Sequence, residues 1–91
     1  QNVGGLVEGN NVRFGGITVG AVKSVNLLND TTIEVTLQLE SRMEKIIRKN
    51  AEVSLGTDGI IGNRIVNILP VAGNAPLVES GDLLQSRQEI N

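Results

Sequence analysis

A strictly alternating segment, residues 32–40, constrains the fold of this chain more than any other part of its sequence. Isoleucine, valine and leucine occupy its odd-numbered positions, and glutamate, threonine and glutamine occupy the even ones. Because successive side chains of a β-strand point to opposite faces of a sheet, this pattern predicts a strand with one face on a core and the other on solvent. The rest of the chain must then supply the strands that cover the apolar face.

Other short apolar runs, separated by turn residues, predict further strands on both sides of this segment. A phase break at Gly20 predicts a tight turn or a bulge within one of them. Six or seven short strands at intervals of roughly 8–12 residues are typical of a small barrel or sandwich. We therefore predict an all-β fold, a small barrel or sandwich with one short helical turn, and the family resemblance given below implies a small seven-stranded β-barrel. The remaining strand-like runs are residues 12–14, 17–28, 51–55, 65–69, 77–78 and 83–84.

Residues 41–50 change character and predict the helical turn. Ser41 and Glu44 have the spacing of a capping box, and Met43, Ile46 and Ile47 recur at helical spacing. The basic residues of this segment form either a solvated face or a patch that attracts lipid headgroups. These basic residues are Arg42, Lys45, Arg48 and Lys49.

The chain has 91 residues, a length that suits one domain. We assign residues 1–84 to the barrel and expect its first strand to be truncated, because residues 3–6 hold only a short apolar run interrupted by glycine. Residues 85–91 are polar and are expected to form a C-terminal tail that leads to a missing extension. No apolar run approaches the roughly 20 residues needed to span a bilayer.

The composition argues against an enzyme. The chain has no cysteine and no histidine, which removes the commonest general base, thiol nucleophiles and His-based metal sites. Its glycines match no phosphate-binding motif and its acidic residues do not follow calcium-loop spacing, so we predict no cofactor and no metal. The net charge is −2 without a basic stripe, and Phe14 is the only aromatic residue, so nucleic acid is not an expected partner.

A glycine-rich loop, residues 56–62, lies between two strand-like runs and carries Ile60 and Ile61 at its centre. Isoleucine suits a packed strand, whereas the glycines on either side of the pair allow the backbone to turn sharply. Two interpretations remain open. The isoleucines either fold back onto the core, as in an ordinary connection, or project outward and contact another molecule, as exposed apolar tips usually do.

The order of these features resembles that of the mammalian cell entry (MCE) domain family over nearly the whole chain. The family pattern has a glycine- and valine-rich opening, an alternating strand, a second strand that starts at a lysine, two apolar residues between glycines, a return strand and a Gly-Asp-x-Leu ending. No one motif is specific, but their order is. In this sequence the parts are Gly9, Val12, Gly16, Val19, Gly20 and Val22, then residues 33–39, 49–53, 59–62, 65–69 and 81–84.

The resemblance implies an assembly and a function. MCE domains look like seven-stranded barrels that assemble as rings of six around a pore, and the carry-over makes Ile60 and Ile61 the pore-lining pair between Gly59 and Gly62. The parent proteins usually carry one transmembrane helix and serve ABC-type lipid transport across the bacterial envelope. The implied partners are a lipid (phospholipid, sterol or fatty acid), further copies of the chain in a homohexamer, and a permease–ATPase complex. The implied location is periplasmic, with an inner-membrane anchor outside this chain.

Asp58, directly before Gly59 in this loop, departs from the apolar or glycine residue of many family members. Its carboxylate either serves turn chemistry with Gly59 or, in a ring, circles one end of the pore. The leading hypothesis is a non-enzymatic module that binds and transfers lipid in a membrane-anchored transport system. The alternative is a structural or adhesive β-module that docks a protein partner through the apolar loop.

Overall fold

The computed structural model describes residues 5–58 and 62–87 of the chain. Within these residues, six β-strands form a single curled sheet in the order β3-β2-β1-β5-β4-β6, and a short 3-10 helix follows β3. The strands are β1 (Asn11–Phe14), β2 (Ile17–Leu27), β3 (Ile33–Leu39), β4 (Glu52–Asp58), β5 (Asn63–Leu69) and β6 (Gln85–Ser86), and the helix is Ser41–Lys45.

The all-β prediction is confirmed, and the sheet curls into a half-barrel. It has six strands among the described residues, where the sequence predicted seven. The difference arises at the edges, because residues 77–78 and 83–84 make no strand beyond one isolated bridge between Arg48 and Leu77. Gln85 and Ser86, which the sequence placed in the polar tail, pair in parallel with β4.

The first hairpin joins β1 to β2 through Gly15 and Gly16, whose φ angles are 61° and 82°. Two successive residues with positive φ are what a tight type I′ hairpin requires, and glycine adopts them without steric cost.

The phase break at Gly20 is a bulge, as the sequence allowed. The β1–β2 register shifts between Val12 and Arg13, where Gly20 pairs with Val12. A Cβ at Gly20 would collide with the carbonyl oxygen of Gln38 and would approach Leu39 Cα at 2.9 Å. Glycine is therefore needed here because β2 and β3 pack backbone against backbone.

The predicted capping box is wrong, although the helical turn itself is present. The cap position is Glu40, with φ −60° and ψ 144°, and no side chain bonds to the free amides of the first turn. Ser41 lies inside the 3-10 helix instead. Burial of Met43, which is 2% exposed, holds this turn against the sheet, so packing replaces capping as the stabilising contact.

The core lies on the concave side of β1, β2 and β5. The parallel pairing of β1 with β5 places Val12 beside Val66 and Phe14 beside Ile68. Ile47, just after the 3-10 helix, packs into the same cluster and is 1% exposed. Among the described residues, the buried apolar members of this cluster are Leu6, Val12, Val19, Val22, Met43, Ile47, Ala51, Val66 and Ile68.

Candidate functional site

The predicted pore loop lies at the tip of the β4–β5 hairpin. Gly59, Ile60 and Ile61 fall outside the described residues, whereas Asp58 and Gly62 on either side of them are described. Gly62 has φ 82°, and its amide donates a hydrogen bond to the carbonyl oxygen of Asp58 at 3.3 Å. The two ends of the loop therefore meet in a tight connection, which requires glycine at position 62.

The Asp58 carboxylate forms an ion pair with a residue of another strand. Arg13 Nη2, on β1, lies 3.0 Å from Asp58 Oδ2, with 26% of the Arg13 side chain and 44% of the Asp58 side chain exposed. The strand β5 lies between β1 and β4 in the sheet, so the pair spans the width of β5. Sequence reasoning missed Arg13, because it belongs to no motif and is far from Asp58 along the chain.

A wide groove with both apolar and polar lining residues opens on the concave side of the half-barrel, between β3 and the segment 78–87. Its cavity volume is about 1220 Å³. The alternating strand borders the groove along its whole length, and its odd, apolar positions are half-buried rather than fully buried. The outer edge of β3 pairs with no strand among the described residues. Apolar residues lining the groove include Leu6, Ile33, Val35, Leu37, Leu39, Met43, Val53, Leu55, Val66, Val78 and Leu84.

Two parts of the family pattern meet at the rim of this groove. Lys49, at the start of the second strand motif, places its Nζ 3.4 Å from Asp82 Oδ2 of the Gly-Asp-x-Leu ending. The amide of Glu79 donates to the same carboxylate oxygen at 2.7 Å. This amide hydrogen bond and, more weakly, Lys49 hold the pKa of Asp82 below its ordinary value. The Gly-Asp pair therefore has a structural role, because its carboxylate holds residues 79–82 and Lys49 together.

Three of the four basic residues around the 3-10 helix, Arg42, Arg48 and Lys49, contact other residues of the protein. Arg42 Nε lies 2.6 Å from Glu40 Oε1. Arg48 Nη1 donates to the carbonyl oxygen of Ala75 at 2.9 Å. With Lys49 held by Asp82, these contacts favour the interpretation of this cluster as a solvated, structural face.

The described residues hold no group of three or more potential metal ligands placed to share an ion. Among the same residues, no helix has the length and apolarity needed to cross a membrane.

A family model described as the MlaD protein matches residues 1–71, which is most of the chain. The chain therefore belongs to the MlaD family of MCE domains. Such domains are typically envelope-associated, related to lipid transport, and bind substrate rather than transform it. Comparison with curated proteins gives no match.

Proposed function

We propose that this chain is a lipid-binding and lipid-transfer module that works as a ring, with Ile60 and Ile61 lining a central pore between Gly59 and Gly62. The observation that carries the proposal is membership of the MlaD family over residues 1–71, a range that includes the whole β4–β5 hairpin. The described ends of the hairpin support it, because Asp58 and Gly62 meet at the tip of two paired strands.

The chemistry of the loop suits an acyl chain. Aliphatic side chains offer a dry surface without hydrogen-bonding groups, and each buried methylene contributes about 0.8 kcal/mol. Cyclic symmetry would repeat the same two side chains around the axis. Because these contacts are non-directional, a lipid can slide along them, whereas a specific polar pocket would retain it.

The proposal includes the partners and location of the complete system. The lipid is a phospholipid, sterol or fatty acid, the ring is a homohexamer, and an ABC-type permease–ATPase complex supplies the energy. The domain works in the periplasm and is anchored to the inner membrane by a segment outside this chain. Native mass spectrometry of the full-length protein tests the ring, and a strict monomer or a twofold dimer would count against it.

We also propose that residues 1–84 form the barrel domain, which β6 (Gln85–Ser86) extends, and that its first strand is truncated here. The free edge of β3 and the groove beside it support a truncated strand, since an additional strand would pair there and cover the half-buried apolar positions. Hydrogen exchange in the full-length protein tests it. Slow exchange of outward-facing β3 amides is expected, and fast exchange would show that the edge stays open.

The molecule that binds the protein distinguishes lipid transfer from the alternative function, which is adhesion to a protein partner through the loop. A lipid extract of the purified protein, analysed by mass spectrometry, should contain a phospholipid, sterol or fatty acid if the transfer proposal holds. Absence of lipid, together with a stable complex to another protein that depends on the loop, would favour the adhesive module.

The decisive variant replaces Ile60 and Ile61 together by Asn. If these residues line a pore, lipid capture should fall while the free energy of unfolding stays nearly unchanged. If they belong to the core, the buried amides would lack partners and the protein should lose several kcal/mol of stability. A photo-crosslinker at position 60 should label lipid or the loop of a neighbouring subunit.

A matched control uses two isoleucines at the other end of the sheet. Ile17 is 60% exposed and Ile46 is 47% exposed, and both lie near the β1–β2 turn, at the far end of β1 from the loop. Replacing both by Asn makes the same chemical change on the surface. This control should keep both its stability and its lipid capture.

A further inference from the structure

We propose that Arg13 is a positioning residue for the candidate pore loop: it holds the end of β4, from which the loop departs, through its ion pair with Asp58. This inference rests on the proposed function. Arg13 contacts the end of β4 rather than the lipid, so its role is to orient that end of the strand. The sequence left the role of Asp58 open between turn chemistry and a ring of free carboxylates, and the 3.0 Å contact with Arg13 provides a third role.

The strand register places the ion pair across the outer, convex face of the sheet. Arg13 lies beside Asn67 on β5, and two residues back along β5 is Ile65, which lies beside Gly56 on β4. Asp58 is two residues beyond Gly56, so the path from Arg13 to Asp58 crosses the pair formed by Ile65 and Gly56. Three adjacent strands are thereby joined on one face, in addition to their backbone hydrogen bonds.

The burial of Ile65 supports this path. Ile65 is only 5% exposed, yet it lies on the opposite face of β5 from Val66 and Ile68 and is not among the buried residues of the core cluster. Side chains of the outer face therefore cover Ile65, and the register together with the ion pair places the Arg13 side chain among them. This face is closely packed at Gly56, where a Cβ would come within 3.1 Å of Asn67 Nδ2.

The other contacts at the same strand end explain why an ion pair would matter there. Among the described residues, the amide of Gly62 donates to the carbonyl oxygen of Asp58 at 3.3 Å, which is long for an N–H donor. The last paired residues, Asp58 and Asn63, lie at the end of the ladder. A charge-assisted contact to a third strand fixes the direction of β4 at this end of the ladder. A partly exposed pair adds little overall stability, so orientation is its main effect.

A charge-reversal cycle tests the proposal. The variants are Arg13→Asp, Asp58→Arg and the double reversal, each carrying the photo-crosslinker at position 60 in the full-length protein. Each single reversal places like charges together and should lower lipid labelling by about threefold or more, and the double reversal should restore most of it. The milder variants Arg13→Gln and Asp58→Asn repeat the test without repulsion and guard against misfolding.

A second readout reports the position of the strand end without any lipid. Amide exchange at Gly62, whose N–H bonds to Asp58, should speed up in each single variant and return toward the wild-type rate in the double reversal. The matched control is the exposed pair of Arg42 and Glu40, 2.6 Å apart at the 3-10 helix. Reversing that pair, singly or together, should change neither lipid labelling nor exchange at Gly62.

The outcomes separate this inference from the function on which it rests. Wild-type labelling of lipid with unchanged labelling in Arg13→Asp and Arg13→Gln overturns the role of Arg13 and leaves the proposed function standing. If the wild type labels no lipid, the proposed function fails, and exchange at Gly62 still decides whether Arg13 holds the end of β4. Loss in both single reversals without recovery in the double reversal also counts against a specific pair.

Discussion

The two sides of the curled sheet are built from similar aliphatic residues but are packed very differently. On the side of β1 and β5, Val12 is fully buried and Ile68 is 1% exposed, so neighbouring side chains surround both. On the side of β3, Val35 and Leu37 face the same concave interior but remain half-buried beside the open groove. The difference comes from the neighbouring strands: β1 lies between two strands, whereas β3 has a strand on one edge only within residues 5–58 and 62–87.

This comparison shows that the apolar pattern of a strand determines which face points inward but not how completely that face is buried. Burial depends on a neighbouring strand that the pattern itself does not encode. The packed side therefore buries its apolar residues more completely, and the open side remains available for further pairing. The variants below test this division, from the largest expected effect to the smallest.

The largest effect is expected for Ile68→Ala on the packed side. Ile68 lies between β1 and β4 and is 1% exposed, so truncation leaves a cavity that the surrounding strands can close only in part. We expect a loss of about 2–5 kcal/mol in the free energy of unfolding. Urea unfolding monitored by circular dichroism measures it. A loss below about 1 kcal/mol would show that this side is less tightly packed than described.

The boundary between the two sides is tested by Gly20→Ala. A methyl group at this position meets the carbonyl oxygen of Gln38 and the backbone of Leu39, so β2 and β3 must move apart. We expect a loss of about 1–3 kcal/mol, as for other overpacked sites. Lys23→Ala, an exposed site on the same strand, is the control and should change stability by less than about 0.5 kcal/mol. Equal stability of the two variants would contradict the close backbone approach.

Leu37→Ala on the open side removes the same number of carbon atoms as Ile68→Ala. Because Leu37 is half-buried next to the groove, little cavity is created and only the transfer of apolar surface is lost. We expect a loss of about 1–2 kcal/mol. The same unfolding measurement applies, and a loss equal to that of Ile68→Ala would remove the distinction between the sides.

The smallest effect is expected for the loss of stability in acid that comes from the segment 79–82, which borders the groove. The backbone amide of Glu79 and the nearby Lys49 lower the pKa of Asp82 in the folded state from its ordinary 3.8. A lowered folded pKa stabilises the protein above the unfolded value, and this contribution is lost as the pH falls through the folded pKa. The wild type should therefore lose stability below about pH 4 in a step that Asp82→Asn lacks.

Asp30→Asn, in the β2–β3 hairpin, is the control for this titration. It should keep the acid step of the wild type. If Asp82→Asn and the wild type lose stability in parallel as the pH falls, the contacts that hold residues 79–82 in place do not depend on the charge of Asp82.

The sequence predicted the strands with strong local signals and missed features that depend on distant residues. Alternation located β3, and the phase break at Gly20 located the bulge in β2, because both signals are local. The capping box failed because burial of Met43, a tertiary contact, decided where the turn begins. The ion pair of Arg13 with Asp58 could not be predicted, since it requires β1 and β5 to lie side by side.

At the candidate site, the sequence indicated the chemical character of the loop but not what holds its base. Glycine at position 62 predicted the tight connection that the structure shows. The functional assignment of Ile60 and Ile61 remains a prediction that rests on family membership. Asp58 shows why local reasoning was insufficient. The sequence suggested that its carboxylate serves turn chemistry with the neighbouring Gly59, whereas in the structure it pairs with Arg13, two strands away in the sheet.

The parallel pairing of β1 with β5 has a consequence for how the chain reaches its native state. It is the only strand pairing among the described residues that joins the unit β1–β3 to the unit β4–β6. Val12 and Val66, which meet there, are separated by roughly fifty residues, and closing a loop of that length costs about 3–4 kcal/mol of chain entropy. The antiparallel pairs within each unit can form first, so the docking of β1 on β5 should limit the folding rate.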